Sequence, residues 1–292
     1  MKKLLTIVSS KDNNITTETF TAIQDFLKVD IKSKWLASER ACEIYFSSDK
    51  TVIADQLIEY FNTCLYDWAY QNAEENSKRI FISDMDSTII KQECIDMIAD
   101  LINVKEEVED ITRRAMEGEI AFADALEKRV GLLKGMKLEL LNEIFHKIEL
   151  NDGAEKLLIN LNKQKIKTIL VSGGFTFFTK KISEKLNFHE NYANNLEVID
   201  DILTGKVIPP IIDSISKKKI LKKTIKSHKL TNAEVVAIGD GANDLEMIKE
   251  AGLGISYRGK PILKANANGQ IEHTGLDSLL YFIGIPEDKI ID

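Results

Sequence analysis

The run RIFISDMDSTII, residues 79–90, constrains the fold more than any other part of this 292-residue chain. An apolar stretch leads straight into Asp84 and Asp86 with no alternation of polar and apolar positions, so the strand it predicts is buried on both faces. KTILVSGG (167–174) and EVVAIGDG (234–241) have the same form, each ending in Gly, Ser or Asp before a helical pattern. Three such strands predict a parallel sheet in an α/β core. Strand ends in such sheets open into the ligand crevice, so the polar residues at these three ends are expected to meet there.

Between the first and second of these strands lies a segment of nearly sixty residues, roughly 92–149, with apolar positions at helical spacing: Val104, Val108, Ile111 and Ala115, then Phe122, Leu126 and Val130, then Leu141, Ile144, Phe145 and Ile148. A crossover needs far less chain, and the segment is read as a small helical cap over one end of the sheet. LEVIDDILTG (196–205) reads as a hairpin with Gly205 in or near its turn. Ahead of the core, a strand at Leu4–Val8, a helix facing inward through Phe20, Ile23 and Leu27, strands near Ile31–Leu36 and Cys42–Phe46, a helix bearing Ile53, Leu57, Tyr60, Phe61 and Cys64, and a strand near Tyr66–Tyr70 give the βαββαβ order of a small ferredoxin-like α+β domain. The polar stretch QNAEENSKR (71–79) is expected to be the linker. The expected division is residues 1–75, a core of 76–91 and 150–292, and a cap of 92–149.

Asp84 and Asp86 stand two residues apart just past a strand end, where they can converge on one cation while one faces a substrate. A carboxylate can also attack phosphorus and split one hard displacement into two easier ones. VSGG adds the Ser172 hydroxyl and the Gly173 and Gly174 amides, groups suited to phosphate. GDGANDLEM adds Asp240, Asn243 and Asp244, and hard oxygens without His or Cys nearby favour Mg²⁺ over Zn²⁺. SISKKKILKKTIK (214–226) carries six lysines. Its plain reading is a solvated helix face; for Lys217, first of the run, the alternative is to point inward and neutralise phosphate. His146, His189, His228 and His273 show no metal spacing and are read as surface or structural.

Composition removes several classes. Lys plus Arg number 39 against 46 Asp plus Glu, a net charge of −7, which excludes a general basic field for nucleic acid or anionic membrane. Three cysteines, Cys42, Cys64 and Cys94, suit a reducing cytoplasm better than a disulfide framework. The N-terminal apolar stretch is too short for a signal peptide, and no uninterrupted run reaches the roughly 18 apolar residues of a spanning helix.

Taken together, D-x-D-S-T after a strand, S-G-G, a lysine, and G-D-G-x-N-D resemble the motifs of haloacid dehalogenase superfamily phosphatases. From about residue 78 onward, including RRAMEGEIAFADALEKRVGLLKG (113–135) and KPILKANAN (260–268), the chain resembles the phosphoserine phosphatase family. The resemblance implies a Rossmann-like core with a parallel sheet and a helical cap insert, and Mg²⁺-dependent hydrolysis of O-phosphoserine. It makes Asp84 the nucleophile and Asp86 the general acid and base. Asp84, the backbone carbonyl of Asp86, and Asp240 become the Mg²⁺ ligands, and Ser172, Gly173 and Lys217 the holders of phosphoryl oxygens. Asn243 and Asp244 support substrate, lysine and metal. Glu93 meets the substrate ammonium, Arg129 grips its carboxylate, and Met116 and Phe122 close over it. Met97 departs from the family pattern, which has an acidic residue there. The N-terminal domain resembles small regulatory-type domains and is read as dimerising the chain or supporting the cap. The alternatives are a phosphotransferase passing the phosphoryl group to an alcohol such as homoserine, a phosphatase for another small phosphomonoester such as phosphoethanolamine, and a binding protein on an inactive core.

Overall fold

The N-terminal segment forms strands where β-branched and aromatic residues cluster and helices where apolar residues recur every three or four positions. The computed structural model describes residues 2–10, 13–47, 53–61, 65–75 and 77–292, with backbone only at 53–55, 58, 75 and 116. Strand β1 (Lys2–Ser9), helix α1 (Thr17–Leu27), β2 (Ile31–Ala37), β3 (Ala41–Ser47), α2 (Ile53–Phe61) and β4 (Tyr66–Asn72) follow the expected order. All neighbours in this part of the sheet are antiparallel, in the spatial order β2-β3-β1-β4. A capping box starts α1: the Thr16 amide donates to Thr19 Oγ1 at 3.2 Å. Leu5, Ile7, Ile23, Cys42, Ile44, Leu57 and Trp68 form the core between helices and sheet. Cys64 lies outside the described residues.

The second part begins with β5 (Ile80–Ser83) and the cap helices α3 (Cys94–Leu101), α4 (Lys105–Met116), α5 (Phe122–Gly131) and α6 (Leu140–Phe145). It continues with α7 (Ala154–Lys163), β6 (Lys167–Phe175), α8 (Thr176–Leu186), β7 (Glu190–Ile199), β8 (Ile202–Ile208), α9 (Ser214–Ser227) and β9 (Val235–Gly239). Helix α10 (Leu245–Glu250), β10 (Leu253–Tyr257), α11 (Pro261–Lys264), β11 (Gly269–Ile271) and α12 (Leu279–Phe282) complete it. Strand β5 is central and parallel to β6 and β9, with Ile80 opposite both Lys167 and Val235. Every residue of β5, β9 and β10 is buried, as unbroken apolar runs require. No helix among the described residues is long and apolar enough to cross a membrane.

The hairpin reading needs one correction. Its turn is Asp200–Asp201, both in the left-handed region with φ of 49° and 60°, as a tight two-residue connection requires. Gly205 lies within β8 at φ 82° because the cap packs there, and a Cβ on it would sit 2.9 Å from Lys134 Cβ. The cap is tied to this hairpin: Gly135 N donates to Leu203 O, Leu203 N to Met136 O and Leu138 N to Asp201 O, at 2.9, 2.8 and 2.8 Å. At its base, Ile90 bridges Leu150, and Asn151 Nδ2 donates to the carbonyls of Thr88 and Ile90 at 2.8 and 3.0 Å.

Of residues 71–79, expected to be a linker, the described ones include parts of the fold. Gln71 and Asn72 end β4, and residues 73–75 form a 3₁₀ turn. Polar composition misleads here because the polar groups find distant partners: Gln71 Nε2 donates to Phe282 O at 2.9 Å and Lys78 Nζ to Ala233 O at 2.7 Å. Strand β4 pairs antiparallel with β11, Trp68 opposite Gln270 and Ala69 opposite Gly269. One eleven-stranded sheet therefore runs through both parts, in the order β2-β3-β1-β4-β11-β10-β9-β5-β6-β7-β8.

Asp67 on β4 fastens this junction. Its buried carboxylate accepts the amides of Glu272, His273 and Thr274 at 2.7, 3.0 and 2.9 Å, and the Thr274 hydroxyl as well. Asp67→Ala strands three amides and is expected to cost roughly 3 kcal/mol. Denaturant unfolding of the full chain measures this, and a wild-type midpoint would show that the loop finds other partners.

Candidate active site

Strands β5, β6 and β9 end on one edge of the sheet and deliver the polar residues. Asp84 follows β5, its amide donating to Ile238 O of β9 at 3.0 Å. The amides of Thr88, Ile89 and Ile90 all turn back onto Met85 O, at 3.3, 2.9 and 3.0 Å, and Ser87 takes φ 53° to permit it. This tight winding returns Asp86 to the crevice. Its Oδ1 accepts the Cys94 amide at 2.8 Å and its Oδ2 the Ser172 hydroxyl at 2.9 Å. Ser172 Oγ in turn accepts the Gly174 amide at 2.8 Å. Any side chain on Gly174 would meet Asp86, since a Cβ would lie 2.9 Å from Oδ2.

Helix α9 supplies the cation. Asp213 caps it, Oδ1 accepting Ser216 N at 2.7 Å, and the first turn then aims Lys217 inward. Lys217 is fully buried, with Nζ 2.9 Å from Asp84 Oδ1 and 2.7 Å from Asp244 Oδ1. Lys218 and Lys222 stay on the outer side with Glu246 and Glu250. Asp244 Oδ2 accepts the amides of Asp240 and Gly241, both at 3.2 Å. Gly239 must lack a side chain because a Cβ would fall 2.4 Å from Asp244 Cγ. Asn243 Nδ2 reaches Asp84 Oδ2 at 3.2 Å.

The Lys217 ammonium pairs with two of the four carboxylates gathered here. Burial, and then the charge of Asp84, push Asp240 up to about 6 and Asp244 up to about 8. Burial also raises Asp86; the Cys94 amide opposes the shift and the Asp84 charge adds to it. For Lys217 burial works against the charge, yet Asp244 and Asp84 outweigh it and hold the ammonium protonated. Carboxylate oxygens of Asp84, Asp240 and Asp244 lie within 4.8 Å of one another. Excess buried negative charge on hard oxygens, with no His or Cys in the group, fits a cation of the Mg²⁺ or Ca²⁺ kind. The carboxylate of Asp86 is committed to Ser172 and Cys94, so Asp244 is the third member of this acidic group.

The cap brings further expected residues over the crevice. Phe122 covers the Gly173 turn, where a Cβ would lie 3.2 Å from Phe122 Cζ. Glu93, at the crevice mouth, accepts from Ser87 Oγ at 2.6 Å. Surrounding protein, and then the charge of Asp86, push it up to about 8. Arg129 is half-buried, Nε donating to Ala125 O and Nη1 to Thr112 Oγ1, both at 3.3 Å. Burial lowers its pKa, offset by the charges of Asp96 and Glu93. Among the described residues it forms no ion pair within 4.0 Å. Met116 closes α4, and its side chain lies outside what is described. Two contacts carry no signal in the sequence: that of Ser87, a member of the D-x-D-S-T motif, with Glu93, which depends on the left-handed turn, and that of Asn194, whose side chain bonds the Gly173 carbonyl at 2.8 Å.

A family model of haloacid dehalogenase-like hydrolases matches residues 78–252, and the chain belongs to that family. Within the family it is 41% identical over 211 residues to the phosphoserine phosphatase of Archaeoglobus fulgidus, covering 72% of this chain and 61% of that one. The chain thus spans about three fifths of that relative's length. It is 40% identical to a solved phospho-aspartyl intermediate analogue of phosphoserine phosphatase, with a TM-score of 0.66, covering 70% of this chain and 99% of that one. A solved HAD family hydrolase from Salmonella enterica serovar Typhi matches 97% of this chain and 99% of its own, with a TM-score of 0.85 at 25% identity. That match includes the N-terminal unit.

Lys217→Met leaves Asp84 and Asp244 buried without their cation. Breaking a buried pair in this way is expected to cost about 3–5 kcal/mol. Urea unfolding at pH 7 measures it, and an unchanged midpoint would mean that the ammonium is dispensable to the fold.

Proposed function

We propose that the chain is a phosphoserine phosphatase, releasing inorganic phosphate from O-phospho-L-serine through an aspartyl phosphate on Asp84. The observation that carries the substrate is that Glu93 and Arg129 stand close enough for the carboxylate to act on the guanidinium without forming an ion pair. A half-buried guanidinium without an ion partner among the described residues, near a carboxylate and on the cap above a phosphate-type crevice, matches the carboxylate, ammonium and phosphoryl group of one phosphoamino acid. A guanidinium also forks onto a carboxylate as an ammonium cannot.

In the first half-reaction an Asp84 oxygen attacks phosphorus and the bond to the serine oxygen breaks. Asp86, whose hold on a proton is strengthened by burial, donates a proton to that leaving oxygen. In the second, Asp86 takes a proton from water as the water attacks the phosphoryl group, and Asp84 is freed with phosphate. Ser172, Gly173 and Lys217 hold phosphoryl oxygens, Asn243 steadies Asp84, and Asp244 anchors Lys217. Phe122 closes over the substrate and excludes bulk water. Asp84, Asp240 and the Asp86 carbonyl, backed by Asp244, would hold Mg²⁺, which when bound neutralises phosphate and nucleophile so that they can approach. The relative captured as a phospho-aspartyl analogue supports this route.

The reading includes three working units, residues 1–75, the core of 76–91 and 150–292, and the cap of 92–149. It also includes a cytoplasmic setting, in keeping with Cys42 and Cys94 as free buried thiols.

The test is phosphate release from O-phospho-L-serine with Mg²⁺ and with EDTA, beside phosphoethanolamine, which lacks the carboxylate. Release is expected to require Mg²⁺, to favour phosphoserine, and to vanish in a folded Asp84→Asn protein. Equal rates on both esters would overturn the substrate, and an active Asp84→Asn would overturn the nucleophile. Arg129→Ala is expected to lower kcat/KM about 100-fold on phosphoserine, the order expected when a charged hydrogen-bonded partner is lost, and to leave phosphoethanolamine nearly unchanged. Equal losses on the two would assign Arg129 to cap packing.

A further inference from the structure

We propose that Asn194 is a positioning residue that holds the phosphate-facing turn of β6 and the lysine helix α9 in register. The inference rests on the phosphatase reading for what those two elements grip. Asn194 belongs to none of the motifs, and it hydrogen-bonds the proposed phosphate-holding residues only at the Gly173 carbonyl. It lies on β7 with 0% of its surface exposed. All its polar capacity is spent on two backbone segments: Nδ2 donates to Gly173 O at 2.8 Å and to Ile212 O at 3.4 Å, and Oδ1 accepts Ile212 N at 2.7 Å.

The strand ladder explains why a side chain is needed there. Strands β6 and β7 run in register from Ile169 to Val171, then shift before Phe175 pairs with Asn194. The turn at Ser172–Gly174 falls in that gap, and the amide of Asn194 supplies the partner that the Gly173 carbonyl would otherwise lack.

Both backbone segments lead directly to reacting groups. Gly173 O and Gly174 N share one peptide plane. Drawing the carbonyl toward Asn194 leaves the N–H facing Ser172 Oγ, which it reaches at 2.8 Å, and the Ser172 hydroxyl is then free to donate to Asp86 Oδ2. A linked chain of bonds of this kind polarises along its length. On the other side, Ile212 immediately precedes Asp213, the cap of α9, and Lys217 N donates to Asp213 O at 3.0 Å. One buried amide thus sets both the serine–glycine turn and the starting position of the lysine. Without it, Gly173 O and both backbone groups of Ile212 lose their side-chain partner in a part-buried setting.

The experiment compares wild type, Asn194→Ala and Asn194→Asp in full-length protein with Mg²⁺. Inorganic phosphate and L-serine are titrated separately by calorimetry, with thermal melting as the check on folding. Asn194→Asp keeps the shape and the acceptor for Ile212 N but loses the donor to Gly173 O, and it takes over if Asn194→Ala does not melt cooperatively. The expected result is a loss of phosphate affinity of about tenfold, with L-serine affinity held within about twofold. The kcat/KM values for phosphoserine and phosphoethanolamine should fall in the same proportion, because the two esters share the phosphoryl end. Unchanged phosphate affinity in a folded variant, or equal losses for phosphate and serine, would overturn the positioning role. A wild-type chain that binds phosphate yet leaves phosphoserine intact would overturn the substrate reading alone, since the phosphate titrations still decide the role of Asn194.

Discussion

Asp84, Asp86, Asp240 and Asp244 are crowded past the ends of two parallel strands, β5 and β9, beside the buried ammonium of Lys217, which pairs with Asp84 and Asp244. Left to themselves such charges would separate or take up protons. They stay because the backbone is bent to serve them: the amides of Met85, Cys94, Asp240 and Gly241 all donate to these carboxylates. Gly239 and Gly174 leave the space that a side chain would fill. The strain of concentrated charge is therefore distributed over many oriented dipoles, leaving a site that favours a divalent cation and a phosphoryl group over neutral ligands.

In the proposed reading, recognition of the rest of a substrate falls to the cap. The cap carries Arg129 and Phe122, and Glu93 stands where the chain passes into it. The cap joins the core both at its base, through Asn151, and along β8, through backbone bonds to Leu203 and Asp201. In the proposed reading, phosphoryl chemistry and headgroup selection are thus carried by different segments of chain, which meet at the Gly173 segment, at Asp86 through the Cys94 amide, and at Ser87 through Glu93. Changes in one need not disturb the other.

Much of this is legible in the sequence because both the buried strands and the acidic motifs are local signals. Residues 80–86 announce a strand and its carboxylates within seven positions, and the cap shows itself by length and helical spacing. What stays hidden depends on partners far away in the chain. Gln71 and Lys78 look like linker residues until their acceptors at Phe282 and Ala233 are known. Asn194 is one asparagine of two in a row, and only the break in the β6–β7 register distinguishes it. Gly205 reads as a turn former, whereas its left-handed backbone serves the approach of Lys134. Among six neighbouring lysines, composition alone does not say that the first turns inward; the Asp213 cap settles the phase of the helix.

The seam between β4 and β11 also bears on how the chain is made. Ala69 and Gly269 are partners across 200 residues. At ribosomal speeds of about 5–20 residues per second, the N-terminal unit waits roughly 10–40 s with one strand edge unmatched. An open edge of that kind is a template for pairing with neighbouring nascent chains. Asp67 sits on it, and until its three amides arrive its carboxylate is a bare charge on the waiting strand. The residue that later fastens the finished sheet therefore guards that edge during synthesis, so a neutral residue there would expose the protein on the ribosome before it weakened the folded state.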